Sequence, residues 1–256
     1  MVKLSVVIIT FNEERNIERC LQSVKAIADE TIVVDSLSTD RTKAIALANQ
    51  AIVIDQPFLG FIEQKNLALS KASNTYVMSL DADEAISEEL SRSILEEKSK
   101  GFSKDAYMVK RFPFYCGKWI RHGTYYPDRK IRLVNKEKAK WGGTNPHDKI
   151  ILQKDSSSRS LKGDLHHYIY QSIEEHMLQT NKFSSIAAME LFKAGKRPSY
   201  FKLIVHPAWA FFYGFFIRLG FLDGFTGFLM AKFTAMHAFL KYAKLINLYK
   251  NKNKGI

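Results

Sequence analysis

Cysteine is scarce in this chain: among 256 residues there are two, Cys20 and Cys116. Two isolated thiols build neither a disulfide framework nor a metal-ligand spacing, which excludes a disulfide-stapled fold and a zinc module. Such usage fits a reducing compartment, and Cys20, inside an apolar helical pattern, is expected in the core. There is no GxGxxG and no GxxxxGK[ST], so the dinucleotide fingerprint and the P-loop are both missing. Internal repeats are absent as well. No apolar run is clearly long enough to cross a bilayer: the uncharged stretch 203–217 has fifteen residues, against the roughly 20 that a span needs. Pro207 and the flanking Lys202 and Arg218 argue further against a simple transmembrane helix. The first ten residues are short and β-branched, and Asn12-Glu13-Glu14 follows where a signal peptide would place a small-residue cleavage site. They read as a buried first strand, and the protein is expected not to be exported.

Acid is nearly missing from the last quarter. From Lys193 onward there are eleven Lys or Arg against one acid, Asp223, so most of the net charge of +12 resides there. A basic segment serves nucleic acid, anionic lipid or an acidic substrate. Here the cations flank aromatic and apolar stretches, 203–217 and 219–240, a combination that suits a membrane interface.

What is present is a regular alternation. Residues 3–10, 31–35, 51–55 and 76–80 read as strands, and 16–24, 39–48, 62–71 and 88–100 as helices. The strands are near-continuous apolar runs, as expected when helices cover both faces of a parallel sheet. The class is α/β, a Rossmann-like, mostly parallel sheet. Residues 106–114 and 130–134 read as further strands, and 171–194 as a helix. The expected division is a catalytic domain over 1–170 and a helical, apolar and basic region over 171–256.

The strand ends carry the chemistry. The fourth strand runs into Asp81-Ala82-Asp83-Glu84, at the place where an open α/β sheet puts its ligand. Two carboxylates one residue apart can share a hard divalent cation, which in turn can hold a diphosphate. The plainer reading is a solvated turn before a helix, and Glu84 is read as capping that turn. The first strand ends in Thr10-Phe11-Asn12-Glu13, and the second in Asp35-Ser36-Leu37-Ser38-Thr39-Asp40. Both face the same crevice. Asn12 can instead start a turn, and Ser38 or Thr39 can cap the next helix; Asp35 is expected to touch a ligand. Arg129, Lys130 and Arg132 form a basic cluster on a strand. There 130 and 132 share a face, which offers either a phosphate contact or a charged edge strand.

These motifs, with Gln64-Lys65-Asn66 and Ala68, occur in an order that resembles the family 2 glycosyltransferases, which have the GT-A fold and inverting chemistry. Asp35-Ser36-x-Ser38-Thr39-Asp40, Phe61-x-x-Gln64-Lys65-Asn66 and Gly220-Phe221-Leu222-Asp223-Gly224 resemble the lipopolysaccharide core β-1,4-glucosyltransferase subgroup. The resemblance implies that Phe11 flanks the base and that Asp35 accepts from a base N–H. It implies that Thr10, Asn12, Glu13, Ser38, Lys65 and Asn66 line the nucleotide-sugar pocket. Asp83, with Asp81, would hold Mg²⁺ or Mn²⁺. In Trp141-Gly142-Gly143-Thr144-Asn145-Pro146-His147-Asp148 it implies a base, Asp148, oriented by His147, beside a Trp141 ring for the acceptor sugar. This subgroup often carries His-Glu at that place, and the shorter Asp148 departs from it. A late histidine, His166 rather than His167, would reach the metal.

The implied activity is the metal-dependent transfer of one hexose, glucose from UDP-glucose, to a membrane-linked glycan. Lipopolysaccharide inner core is the expected acceptor, with capsule, teichoic acid or another glycolipid as alternatives. The expected location is the cytoplasmic face of the bacterial inner membrane, peripheral, against anionic lipid and without nucleic acid. A non-catalytic nucleic-acid- or lipid-binding protein is the remote alternative. A processive synthase is disfavoured, because no Gln-x-x-Arg-Trp occurs.

Overall fold

A computed structural model describes residues 2–144 and 147–253, with Thr144, His147 and Asn253 described by backbone alone. The chain forms two compact units, one of Met1–Phe112 with Asp128–Tyr168, the other of Pro113–Pro127 with Ile169–Ile256. Residues 113–127 and 169–170 thus group with the C-terminal helices in the second unit.

In the first unit the elements alternate as the apolar pattern predicts. They are β1 (Leu4–Thr10), α1 (Ile17–Val24), β2 (Glu30–Asp35), α2 (Thr42–Ala48), β3 (Ile52–Asp55), α3 (Phe61–Lys71) and β4 (Tyr76–Asp81). Then follow β5 (Glu84–Ile86), α4 (Glu88–Ser99), β6 (Ala106–Tyr115), β8 (Asp128–Asn135), β9 (Ala139–Thr144), β10 (His147–Leu152) and β11 (Ser158–Tyr170), while the short β7 (Lys118–Trp119) and the last residues of β6 and β11 belong to the second unit. α1 buries Ile17, Cys20, Leu21 and Val24, one helical stripe. α4 starts where Ser87 Oγ accepts from Leu90 N, with Glu88 and Glu89 in the first turn.

The sheet order is β3-β2-β1-β4-β8-β6-β11-β5, with β7 on β6 and β9 with β10 as a separate hairpin. β1 pairs in parallel with both β2 and β4, and β2 with β3. β8 continues the sheet antiparallel to β4. The parallel strands run outward from β1 to β3 on one side, with β4 on the other. That reversal is the switch point at which such sheets open a crevice beyond the strands' carboxyl ends. The register sets Thr10 beside Asp35 and Ile9 beside Asp81. β8 lies between β4 and β6, but β4 pairs only with Leu133–Asn135, so Arg129 and Lys130 pair with β6 alone. The core on one face includes Leu4, Val6, Ile8, Ile17, Leu90 and Ile94. On the other, Val7, Ile32, Val34, Ala68 and Val77 pack with Trp141 and Ile150 of the hairpin.

The second unit is helical: α5 (Ile173–Lys193), α6 (Tyr200–Phe212) and α7 (Gly224–Asn253). α6 runs on through π-helical turns over Tyr213–Ile217, and a 3-10 turn, Gly220–Asp223, leads into α7. That turn depends on glycine: a Cβ on Gly227 would stand 1.8 Å from the Gly220 carbonyl. Asp223 closes it by accepting from the N–H groups of Arg121 and His122. His176 is buried at the centre, stacked between Tyr170 and Phe233 at centroid distances of 4.2 and 3.9 Å.

Candidate active site

The crevice beyond β1, β2 and β4 is organised by charge. Asp81 ends β4, and its carboxylate meets two cations. Lys65 Nζ of α3 lies 3.1 Å from Oδ1, and Arg132 Nη2 of β8 lies 3.1 Å from Oδ2. Burial alone would push the Asp81 carboxyl up. Lys65 and Arg132 outweigh that effect and hold it far below the ordinary carboxylate range. Burial likewise acts to lower Arg132, but Glu84 and Asp81 raise it above its ordinary value. Glu84 is fully buried and takes Arg132 Nη2 at 2.5 Å, with Arg111 Nη1 at 3.6 Å. Its second oxygen accepts the Asp81 backbone N–H at 3.1 Å. Glu84 thus fixes the turn from within, while Ser87 caps the following helix.

Lys65 also reaches the hairpin, where its Nζ donates to Asp148 Oδ2 at 2.8 Å. One ammonium therefore joins the carboxylate at the end of β4 to the carboxylate of β10. Asn66, the next residue, clamps the same hairpin: its amide donates to the Trp141 carbonyl and accepts from the Trp141 N–H, both at 2.9 Å. Asn66 thus holds the hairpin against α3 with both amide groups. The Trp141 ring is buried too, with Lys65 Nζ 4.5 Å and Arg132 Cζ 5.7 Å from its centroid. It is a cation–π platform inside the protein and not an open face for an acceptor sugar. Arg132, only 3% exposed and committed to Asp81 and Glu84, is likewise no surface contact for an acceptor phosphate. Arg129 stays exposed.

The two preceding turns are laced together. Ser38 donates from both N and Oγ to Asp35, at 2.7 and 2.5 Å. Ser38 Oγ accepts the Asn12 N–H at 2.8 Å, and Asn12 Oδ1 accepts the Thr39 N–H at 2.8 Å. Neither Ser38 nor Thr39 caps α2, because that helix begins at Thr42, whose N–H and hydroxyl both go to Asp40 Oδ1. Asp35 is wholly buried, and Phe11 stands exposed just past β1. Glu13 accepts from the Asn16 amide at 2.7 Å, and its N–H donates to Thr42 Oγ1. Thr10 Oγ1, Gln64 Oε1, Arg132 Nε and Trp141 Nε1 are buried here without a protein partner. Buried polar groups are nearly always paired, so an unpaired Thr10 Oγ1 at the end of β1 beside Asp35 suits a polar ligand.

On β11 the two histidines part, as alternation requires. His167 Nε2 lies 3.3 Å from Asp83 Oδ2. The His166 ring packs near Phe112, at 6.3 Å between centroids, and burial lowers its pKa although Asp164 opposes this. The histidine beside the acidic motif is therefore His167 and not His166. The signal was in the sequence: Leu165 is an apolar residue two positions before His167, so both share a strand face. The expected orienting role of His147 concerns a side chain outside the described residues.

Among the described residues no three His, Cys, Asp or Glu side chains form a ready metal cluster. The donors that are present still fit a divalent cation. Asp83 and His167 supply an oxygen and a nitrogen, and Mg²⁺ or Mn²⁺ commonly completes its shell with phosphate oxygens and water.

Known proteins resemble this chain in sequence. The sequence model of the family described as Glycosyl transferase family 2 matches residues 5–161. An uncharacterised glycosyltransferase of Rickettsia typhi is 40% identical over 97% of this chain and 88% of its own length. A lipopolysaccharide core biosynthesis glycosyltransferase of Rhizobium meliloti is 29% identical over 94% of this chain and 91% of its own. Glucosyl-3-phosphoglycerate synthase of Mycobacterium tuberculosis, solved with Mn²⁺, UDP and glucosyl-3-phosphoglycerate, is 28% identical with a TM-score of 0.36. That likeness covers 45% of each chain.

Proposed function

The chain belongs to glycosyl transferase family 2, and from that membership we propose that it moves a single glucose from UDP-glucose to a membrane-linked glycan, by inversion. The acceptor is lipopolysaccharide inner core, at the cytoplasmic face of a bacterial inner membrane. Similarity to the Rhizobium meliloti protein supports that choice of acceptor. The observation that carries the reading is that Lys65 bridges Asp81 and Asp148, with Arg132 on Asp81, while His167 meets Asp83 two residues beyond Asp81.

In this reading Phe11 flanks the uracil, and Asp35, held rigid by Ser38, accepts a base N–H through its remaining lone pairs. Asp83 and His167 would hold the cation, which would supply positive charge to the departing diphosphate. Asp81, already neutralised by Lys65 and Arg132, borders the same phosphates. The acceptor oxygen attacks the anomeric carbon as the bond to the diphosphate oxygen breaks, and the bonding pair leaves with UDP. The hydroxyl proton passes to Asp148, whose second oxygen is distinct from the one bonded to Lys65.

A donor screen tests this. Purified protein with membranes as acceptor source and Mg²⁺ or Mn²⁺ is offered each radiolabelled nucleotide sugar. Label from UDP-glucose should enter a glycolipid in single-sugar steps. Transfer from another donor, or a polymeric product, would replace the reading.

A further inference from the structure

The second unit carries an apolar surface that the transfer chemistry does not use. Along α6 and its π-helical continuation, positions 203, 207, 210, 211, 214 and 218 are buried or half-buried. That spacing is one helical stripe, and it packs on α7. The opposite face shows Phe201, Ile204, Trp209, Phe212, Phe216 and Ile217, all exposed, with Phe201 and Ile204 each at 72%. Leu219, Phe221, Leu222 and Phe225 extend it around the turn into α7. A contiguous apolar patch of this kind marks an interaction surface.

Charge says what covers it. From residue 193 onward the only acid is Asp223. Its carboxylate is turned onto the Arg121 and His122 N–H groups, at 3.0 and 2.8 Å, and onto His122 Nδ1 at 3.0 Å. The exposed Lys202 flanks the aromatic face, the segment from residue 193 onward is strongly basic, and its one acid is turned inward. Aromatic rings at headgroup depth with cations beside them match an anionic lipid leaflet.

The packing also says how the segment lies. Residues 200–217 are the one stretch among those described that is long and apolar enough to cross a membrane. Yet α6 packs along α7, and α7 carries Lys232, Lys241 and Lys244. Lys232 sits eight residues past Gly224, about 12 Å along the helix. An inserted hairpin would carry the Lys232 ammonium deep into hydrocarbon, where charge is costly. We propose that the outward face of residues 201–225 docks in the plane of an anionic bilayer leaflet, buried to headgroup depth on one side only. This deepens the membrane-linked reading above, and rests on it, by naming the surface that meets the lipid.

Full-length protein is floated with vesicles of phosphatidylethanolamine and phosphatidylglycerol that contain no glycan, and with phosphatidylcholine alone. It should float with the anionic vesicles and at least about tenfold more weakly with the neutral ones, consistent with the contribution of several cations near the surface. Phe201→Glu/Ile204→Glu/Phe225→Glu, all at solvent-facing positions, should lose flotation while keeping the far-UV spectrum and UDP binding. Trp209 emission should be quenched most by lipids brominated near the headgroup, with Trp209→Phe identifying the signal. Flotation of the triple variant would overturn the proposal. So would strongest quenching from the bilayer centre, or a lipid-free dimer that shields Trp209 and does not float. The vesicles hold no acceptor, so the two readings fail separately. Floating protein that transfers no glucose overturns the activity alone, and active protein that does not float overturns this docking alone.

Discussion

Lys65 Nζ lies 2.8 Å from Asp148 Oδ2, and both side chains are nearly buried, at 8% and 13% exposure. The same ammonium touches Asp81, so the proposed base on the acceptor side and the acidic motif on the donor side share one cation. Removing one member of a buried ion pair costs about 3–5 kcal/mol, because the other charge is stranded. Lys65→Met should therefore destabilise the protein by a figure in that range. Adding Asp148→Asn should return part of it, with a coupling of about 0.5–3 kcal/mol in the double-mutant cycle read from urea midpoints. Strict additivity would show that the contact carries no energy.

Asp148→Asn alone keeps the shape of the side chain and removes its capacity to take a proton. A positioned general base contributes about 10²–10⁴-fold, so kcat for transfer should fall by that factor. UDP affinity, measured by calorimetry, should stay within about twofold, since the change removes an interaction of the transition state and not of the donor complex. Near-normal turnover would remove Asp148 from the mechanism.

Much of the first unit was legible because its strands are apolar runs ended by polar turns, a pattern that needs no tertiary information. Thr10, Asp35 and Asp81 came from that pattern and lie at neighbouring strand ends. What stayed hidden depends on pairs far apart in sequence. Nothing local shows that Arg132 will be buried on Glu84, 48 positions away, or that Asn66 will spend its amide on Trp141, 75 positions away. A strand-borne arginine reads as surface charge until its partner is known. A tryptophan among glycines reads as a sugar platform until two cations are found over its ring. The β9–β10 hairpin and β11 were missed as strands, and with them the alternation that separates His166 from His167.

His176 gives the second unit a built-in acid sensitivity. It is 2% exposed, between two aromatic rings, with Nδ1 3.2 Å from the Tyr115 hydroxyl. Burial lowers its pKa from 6.5 to about 4. The unfolded chain thus takes up a proton that the folded protein refuses between those values, and stability falls as pH falls through that window. The full loss is about 3 kcal/mol. Thermal melts followed at about pH 7.5 and pH 4.5 should show it, and His176→Phe should flatten the dependence while keeping the stack. An unchanged slope in that variant would assign the acid response to other groups.

His167 and His166 separate the proposed metal site from its surroundings. A strand directs neighbours to opposite faces, and β11 puts His167 Nε2 3.3 Å from Asp83 Oδ2 while His166 packs near Phe112. His167→Ala should raise the Mn²⁺ concentration needed for half-maximal UDP-glucose cleavage at least about tenfold, the scale on which even outer-shell metal partners act. The shift should be smaller with Mg²⁺, which draws little from a nitrogen donor. His166→Ala removes apolar packing and should lower the melting temperature, leaving the Mn²⁺ requirement within about twofold. The reverse pattern, a metal effect from His166 and none from His167, would mean that β11 presents its other face to the donor. The assignment of Asp83 as the metal carboxylate would then fall with it, because Asp83 is the partner of His167.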